Sequence, residues 1–180
     1  MKQIYIVLIL TLFQMSLLQA QEAHKVLSLQ PDPQATVCFT PGGDCTDVIV
    51  NEIGRAKQWI KVQAYSFTSA PIAKALLDAS KRGVTVEAIL DKSQRSERYT
   101  SATFLVNSGI PTYIDAKHAI AHNKIILIDG KEVITGSFNF TKAAQEKNAE
   151  NLLVLHDPGL ISSYLKNWQL HREHSEEYER

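Results

Sequence analysis

The sequence predicts an α/β fold, in which a mixed central β-sheet carries helices on both faces. Strand-like and helix-like segments alternate through the first two thirds of the chain, which is typical of parallel strands joined by helices. Asp129-Gly130 then lies between two apolar runs, and Asp-Gly is a strong signal for a tight turn between antiparallel strands. The 180 residues show no internal repeat, so a single domain with its own core is expected.

Each early element has its own local signal. Acidic residues in 41–47 precede a helix that reaches about Lys57. Ser69 and Pro71 open a second helix, which ends at the two cations and the glycine of 81–83. The predicted strands, rich in β-branched and aromatic residues, are 36–40, 59–67 and 84–91.

Shorter elements complete the predicted fold. A polar loop at 92–100 leads to a helix through Phe104 and Val106. After the hairpin, a connection through Lys142 and Lys147 leads to the last strand and then to a helix from Pro158. The predicted strands of this half, besides the hairpin, are 112–115 and 151–156, and the predicted core tryptophans are Trp59 and Trp168.

Residues 1–20 have the pattern of a secretory signal peptide, with one early cation, an apolar stretch from Ile4 to Leu18, and Ala20 before a polar segment. The stretch is short for a membrane span, although Leu18 is not ideal near a cleavage site, so an uncleaved anchor is the alternative. Residues 21–35 are a loose lead-in, and 36–180 form the folded domain. The pattern predicts a periplasmic or secreted protein with no stable membrane association once the leader is removed.

Cys38 and Cys45 are the two cysteines of the chain. Export permits a disulfide between them, and the turn that separates them can fold the chain back. Such a bridge contributes roughly 2–3 kcal/mol on the chain-entropy model. Two buried free thiols are the alternative.

The chain as a whole has no strong positive field. It has 19 basic and 19 acidic residues, so loss of Lys2 with the leader leaves a net charge of −1. Binding of a polyanion therefore has to come from local patches. This counts against a high-affinity DNA-binding protein, but not against an enzyme that needs only brief contact.

The residues that carry chemistry are concentrated in 121–150. Lys124 precedes four apolar residues, a pattern typical of a buried central strand. A buried ammonium is costly without an anionic partner or ligand; a lysine at the exposed end of the strand is the alternative. The motif is H-x-K-x4-D followed by G-S-x-N, formed by His122, Lys124, Asp129, Gly136, Ser137 and Asn139.

The hairpin predicts which motif side chains share a face. If 129 and 130 form the loop, Ile128 pairs with Lys131 and His122 faces Ser137. A loop at 130–131 instead places His122 opposite Asn139. Because side chains alternate with period two, both registers put His122, Lys124, Ser137 and Asn139 on one face. An imidazole, an ammonium, a hydroxyl and an amide together suit the oxygens of a phosphate.

These residues resemble the signature of the phospholipase D superfamily. The chain is similar in particular to its small secreted bacterial endonucleases, which carry one such motif per chain. The resemblance covers most of the mature protein, including 64–68, 136–144, 147–151 and the C-terminal helix. It excludes the residues before 36 and the cysteine pair.

The resemblance implies hydrolysis of a phosphodiester without metal or cofactor, through a phosphohistidine. Displacement at phosphorus needs a nucleophile on one side and an acid on the other, so a homodimer that joins two copies of His122 is expected. Lys124 and Asn139 would hold the phosphate oxygens, and Ser137 would add a hydrogen bond. Glu150 matches the acidic residue that accepts a hydrogen bond from the histidine ring.

Asp129 completes the set of candidate catalytic residues. The hairpin places it about 17 Å along the strand from Lys124. We therefore expect a structural role for it rather than that of a general base.

Other polar residues have two interpretations each. His171 and His174 are spaced for one helix face, but they lack the H-E-x-x-H pattern and lie in a polar terminus, so a solvated helix end is expected instead of a metal site. His118 lies either at the rim of the cleft or in a loop without a functional role. Tyr65 and Phe67 either line a groove or pack in the core. Candidates for contact with a nucleic-acid backbone, with ordinary surface charge as the alternative, are Lys92, Arg95, Arg98, Lys117 and Lys142.

The sequence thus predicts a nonspecific endonuclease that acts on DNA, with RNA as a further candidate substrate. A phospholipase D-type lipid phosphodiesterase is the first alternative, because the same groups suit any phosphodiester. A nucleic-acid-binding module with an idle site is the second.

Overall fold

One mixed sheet of eight strands organises residues 35–179, the part of the chain that the computed structural model describes. The strands are β1 (Ala35–Thr40), β2 (Trp59–Ala64), β3 (Thr85–Asp91), β4 (Thr112–Asp115), β5 (Lys124–Ile128), β6 (Glu132–Gly136), β7 (Glu150–Leu155) and β8 (Glu176–Glu177). The helices are α1 (Cys45–Arg55), α2 (Ala70–Lys81), α3 (Ala102–Asn107), α4 (Lys142–Glu146) and α5 (Pro158–His174), with a 3₁₀ turn at Lys92–Arg95. The predicted signal peptide and residues 21–34 lie outside the described residues.

The strand order is β1-β7-β6-β5-β2-β3-β4-β8. β2, β3 and β4 run parallel to one another, whereas β5, β6, β7 and β1 follow in an antiparallel series. The carboxyl ends of the three parallel strands therefore lie at the same end of the sheet as the start of β5 and the end of β6. The predicted mixed sheet with helices on both faces is confirmed.

Two hydrophobic cores occupy the two faces of the sheet. Alternate residues of the central strands divide between them, so that Ile126 packs in one cluster and Leu127 in the other. Helices α1, α2 and α3 cover the first face, and α5 covers the second through Ile161 and Trp168. The Trp168 indole N–H also donates to the Val62 carbonyl at 3.0 Å. Apolar residues on both faces of β5 thus reflect burial on both sides.

β1 is held at the sheet edge by covalent and polar contacts. A disulfide joins Cys38 to Cys45, the first residue of α1, with a Cα–Cα distance of 5.6 Å. The Thr40 hydroxyl donates to the Ala144 carbonyl at 2.8 Å. These contacts connect the edge strand to α1 and α4.

Three local elements differ from the sequence-based expectation. β2 ends at Ala64 rather than 67, because Phe67 leaves the ladder to pair with Phe140. The connection after the hairpin contains α4, whose N-cap Thr141 accepts a hydrogen bond from the Ala144 N–H at 3.1 Å. β8 was not predicted, since its two glutamates acquire strand geometry only by pairing with β4.

Glu132 is a buried carboxyl group of β6 whose ionisation opposes folding. Burial raises its pKa to about 7, the charges of Glu52 and Asp129 act in the same direction, and Arg55 opposes them. His156 Nδ1 lies 3.8 Å from its carboxylate. Because the folded pKa exceeds the ordinary value of 4.5, stability from this group is present at low pH and is lost as the pH rises toward 7.

We therefore expect Glu132→Gln to be more stable than wild type by about 1–3 kcal/mol at pH 8, with little difference at pH 4.5. Urea unfolding at both pH values measures this. The matched control is Glu97→Gln, at an exposed position, which should change stability at neither pH. An equal effect of Glu132→Gln at both pH values would contradict the buried-charge explanation.

Candidate active site

The candidate residues lie at the end of the sheet where the parallel strands have their carboxyl ends. Ala64, the last residue of β2, pairs with Lys124 at the start of β5. Glu150 begins β7 and pairs with Thr40, the last residue of β1. At the end of β3, the buried Asp91 accepts a hydrogen bond from the Ala121 N–H at 2.7 Å and so fixes the backbone just before His122. No local sequence pattern predicts this role of Asp91.

His122 and Lys124 form the centre of the site. The Lys124 ammonium donates to His122 Nδ1 at 3.1 Å and to the His122 carbonyl at 2.9 Å. It lies 5.1 Å from the centroid of the Tyr65 ring, which is 4.6 Å from the centroid of the imidazole. The imidazole itself is exposed, whereas Lys124 is only 6% exposed. The lysine is therefore buried, and Tyr65, unlike the core residue Phe67, lines the site.

The electrostatics favour an anionic ligand beside Lys124. Burial lowers the pKa of Lys124, and the charge of Glu150 acts against this shift. A phosphate at this point would add a second anionic partner and stabilise the ammonium further. The side chains of His122, Lys124 and Tyr65 thus lie together at two adjacent strand ends.

Ser137 and Glu150 form a second polar group. The Ser137 hydroxyl donates to Glu150 Oε2 at 2.5 Å, and the Asn148 amide donates to Oε1 at 3.0 Å. The expected hydrogen bond from the His122 ring to Glu150 is not formed within the described chain. β6 lies between β5, which follows His122, and β7, which begins with Glu150. His122 Nδ1 accepts a hydrogen bond from Lys124 instead.

Both predicted hairpin registers are wrong by one residue. The Lys131 N–H closes the turn on the Ile128 carbonyl at 2.9 Å, and Asp129 and Gly130 have φ of 55° and 67°. Ile128 nevertheless pairs with Glu132, so Lys131 is an extra residue outside the ladder. Continued regularly, this register would place Ser137 and Asn139 on the face opposite His122.

A bend at Gly136 removes these residues from regular alternation. Gly136 has φ of 143°, and the next two N–H groups, of Ser137 and Phe138, both donate to the Asn151 carbonyl, at 3.1 and 3.2 Å. Two residues facing one is the arrangement of a β-bulge. A Cβ at Gly136 would lie 2.3 Å from the Asn151 oxygen, which explains the glycine of the motif. Beyond the bend, Asn139 Oδ1 is buried and has no hydrogen-bond partner among the described residues.

Asp129 lies at the far end of β5 from Lys124, so its geometry agrees with a structural role. Its carboxylate accepts hydrogen bonds of 2.8 Å from the backbone N–H groups of Lys57, Gln58 and Trp59. Burial acts to raise the pKa of Asp129, but these hydrogen bonds outweigh it and hold the pKa below its ordinary value. The motif aspartate thus ties the hairpin turn to the start of β2.

We expect Asp129→Ala to lower the free energy of unfolding by about 2–3 kcal/mol at neutral pH, without loss of turnover at a temperature where the variant is folded. Because the folded pKa is depressed, this stabilisation exists above pH 3.8 and is lost as the pH falls through the folded pKa. Asp129→Asn is the matched control, since it keeps one acceptor and suits positive φ. An inactive but equally stable Asp129→Ala variant would argue for a chemical role.

The basic candidates occupy different environments. Lys92 and Arg95 follow β3, and Lys117 follows β4, so these three residues lie toward the same end of the sheet as His122. Arg95 forms an ion pair with Glu176 at 2.6 Å, and Lys142 lies 3.5 Å from Glu146. Arg98 is exposed, with its guanidinium 5.4 Å from the Tyr99 ring. Lys92, Arg98 and Lys117 are exposed and remain candidates for substrate contact.

His171 and His174 do not form a solvated helix end. Their side chains are 15% and 22% exposed, and both face the buried carboxylate of Asp115 together with His118. No local pattern predicts the role of Asp115, because its partners lie up to 59 residues further along the chain, at 174.

The exposed imidazole of His122 lies beside the buried ammonium of Lys124. Together with the hydroxyl of Ser137 and the amide of Asn139, at the same end of the sheet, these groups suit a phosphodiester. Residues 49–171 match the family model described as cardiolipin synthase, PLD-like domain. The chain belongs to the phospholipase D superfamily and is a phosphodiesterase of that superfamily. Among residues 35–179, no helix is both long and apolar enough to cross a bilayer.

Named relatives share both sequence and structure with this chain. A phospholipase D of Rickettsia felis is 46% identical over 135 residues, which cover 75% of this chain and 68% of that protein. The crystal structure of Nuc, a phospholipase D family member from Salmonella typhimurium, has 39% identity and a TM-score of 0.78, covering 83% of this chain and all of Nuc. NucT from Helicobacter pylori has 26% identity and a TM-score of 0.75, covering 80% of this chain and 98% of NucT.

Proposed function

We propose that this protein is a metal-independent endonuclease that hydrolyses DNA, and RNA as a further substrate, at a site shared by two subunits. The carrying observation is a single His122–Lys124 pair on the described chain, with the imidazole exposed at an end of the sheet that also carries exposed basic residues. Lys92, Arg98 and Lys117 are suited to phosphates along a backbone and carry no base specificity. The resemblance to small secreted endonucleases supports the same substrate.

The proposed reaction needs two imidazoles in different states. The Nε2 atom of one His122 attacks phosphorus, and the partner subunit's His122 gives its Nε2 proton to the departing ester oxygen. Water then attacks the phosphohistidine and returns a proton to the second ring. A phosphomonoester end is released as product, the attacking ring recovers its Nε2 lone pair, and the second ring is protonated again as in the resting enzyme.

The Lys124 hydrogen bond controls which tautomer His122 adopts. When Lys124 donates to Nδ1, a neutral ring carries its hydrogen on Nε2, so that Nε2 has no lone pair for attack on phosphorus. A bound phosphate competes for the Lys124 ammonium, which frees Nδ1 to take the hydrogen and leaves an Nε2 lone pair for attack. Lys124 and Asn139 then hold the phosphate oxygens, while Glu150 keeps Ser137 in position.

A lipid phosphodiesterase is the second candidate. Ile120, two residues before His122, is 57% exposed, and an exposed apolar side chain beside the site suits an acyl chain. The name of the Rickettsia felis relative supports the same alternative.

One substrate comparison separates the candidates. Supercoiled plasmid, single-stranded RNA and phosphatidylglycerol vesicles are supplied at equal phosphodiester concentration in excess EDTA. We expect nicking of plasmid and little release of lipid headgroup. Faster turnover of lipid would favour the second candidate, binding without turnover of any substrate would indicate an idle module, and a need for added divalent metal would overturn the mechanism.

The shared site has its own test. Light scattering should give the mass of a dimer for the active species. Mixing wild type with excess His122→Asn protein, followed by subunit exchange, should lower activity more than simple dilution does. Full activity in a stable monomer would disprove the shared site.

We also propose that the protein acts in the periplasm or outside the cell. The Cys38–Cys45 disulfide supports this, because such bonds persist in oxidising compartments. Cell fractionation with sequencing of the mature N-terminus tests the proposal; cytoplasmic full-length protein would overturn it.

A further inference from the structure

Three imidazoles converge on one buried carboxylate at the end of β4. Asp115 is 0% exposed, and its Oδ2 lies 2.7 Å from His171 Nδ1 and 2.9 Å from His118 Nδ1. Its Oδ1 lies 3.3 Å from His174 Nε2. One ligand atom from each of these four residues lies within 4.8 Å of every other. We call these residues the Asp115 cluster.

The cluster leaves one polar atom unsatisfied. His174 Nε2 is inaccessible to solvent and forms no hydrogen bond among the described residues, although it lies 3.3 Å from Asp115 Oδ1 within the cluster. Buried polar atoms normally have a partner, and an exception calls for a cause such as a bound ion. The three rings are also crowded, with centroids 4.9 to 5.4 Å apart.

We propose that Asp115, His118, His171 and His174 bind a single zinc ion. Three imidazole nitrogens and one carboxylate oxygen form a donor set that zinc prefers, whereas calcium and magnesium prefer oxygen. Tetrahedral zinc with bonds of about 2.0–2.1 Å sets its ligand atoms about 3.3 Å apart. The Asp115–histidine separations of 2.7–3.3 Å and the limit of 4.8 Å between all four ligand atoms are close to this value, so small rotations of the histidine side chains would close the site.

The ion would have a structural role rather than a catalytic one. It joins the end of β4, the loop that follows it and the last turn of α5, elements that are distant in sequence. The loop after β4 leads directly to His122 and is anchored near its end by Asp91. None of the four ligands belongs to the proposed catalytic set, so the chemistry remains metal-independent while the fold gains stability from the metal.

The test uses full-length mature protein without a histidine tag, stripped by chelator and then supplied with Zn²⁺ or Co²⁺ alone. We expect one zinc per chain by native mass spectrometry, a four-coordinate visible spectrum with Co²⁺, and a rise in Tm of at least about 4 °C. His171→Ala/His174→Ala should lose all three signals. The control His156→Ala, a histidine outside the cluster, should keep them.

His118→Ala provides a milder variant, because its side chain is 44% exposed in a loop and its removal leaves the core intact. It should fold, and bind zinc at least 10-fold more weakly. Wild type that takes up no zinc at micromolar concentration, or variants that bind as well as wild type, would overturn the proposal. Plasmid nicking by stripped protein at 25 °C should persist, which separates this test from that of the catalytic mechanism.

Discussion

Replacement of His122 by asparagine is expected to lower turnover by about 10⁴-fold or more. Asparagine keeps a polar group at an exposed position, so the fold and its Tm should be unchanged. It cannot form a covalent bond to phosphorus, and it cannot donate a proton with the pKa of an imidazole. In a two-fold dimer the substitution removes both the nucleophile and the acid at once, so the loss exceeds that from removal of a single catalytic group.

Initial rates of plasmid nicking in EDTA measure this effect. A second measurement traps the intermediate: labelled phosphodiester should leave acid-labile, alkali-stable phosphate on wild type and none on His122→Asn. His156→Asn is the matched control, because it makes the same change at an exposed histidine after β7 and should leave both signals intact. Residual activity above 1% of wild type, or label mapped to another residue, would refute the role of His122.

Lys124→Met is expected to lower turnover about 10²–10³-fold while stability changes by no more than about 1 kcal/mol. Methionine has nearly the shape of lysine, and it removes an ammonium that burial already disfavours. The transition state loses a charged donor to the phosphate oxygens, and His122 loses the hydrogen bond at Nδ1. Activity and stability therefore separate at this position.

Lys61→Met makes the same change on the other face of the sheet. Lys61 pairs with Glu87 on the adjacent strand, and its ammonium lies 4.2 Å from the Trp168 ring centroid. Its loss should lower stability by about 1 kcal/mol and leave turnover unchanged. Comparison of kcat with urea unfolding for both variants tests the distinction. A Lys124→Met protein that is as active as wild type would remove the lysine from the mechanism.

Local patterns in the sequence were enough for most of the fold. The run of apolar residues in β5, the cap signals of α2 and the Asp-Gly turn depend on neighbours within a few residues. The motif positions likewise follow from spacing, so His122 and Lys124 could be identified before any contact was known. The structural role of Asp129 followed from the length of β5 alone.

Such local patterns do not determine the register of the hairpin. β5 and β6 are apolar on both faces, so a shift of one residue exposes no hydrophobic surface and costs little. Lys131 is displaced from the ladder, and the contact between Gly136 and Asn151 then bends the chain before Ser137. The local sequence contains the glycine, but only the approach of β7 explains why it is needed.

By itself, the sequence determined the order of the strands and helices other than α4 and β8, the polar motif, and the family to which that motif belongs, since each depends on short-range periodicity and residue chemistry. Tertiary structure alone decided that Lys124 is buried beside His122, that Glu150 holds Ser137 rather than the imidazole, and that Asp115 meets three histidines. These contacts join segments far apart in the chain. Their geometry depends on how strands align and helices pack, which local preferences leave unspecified.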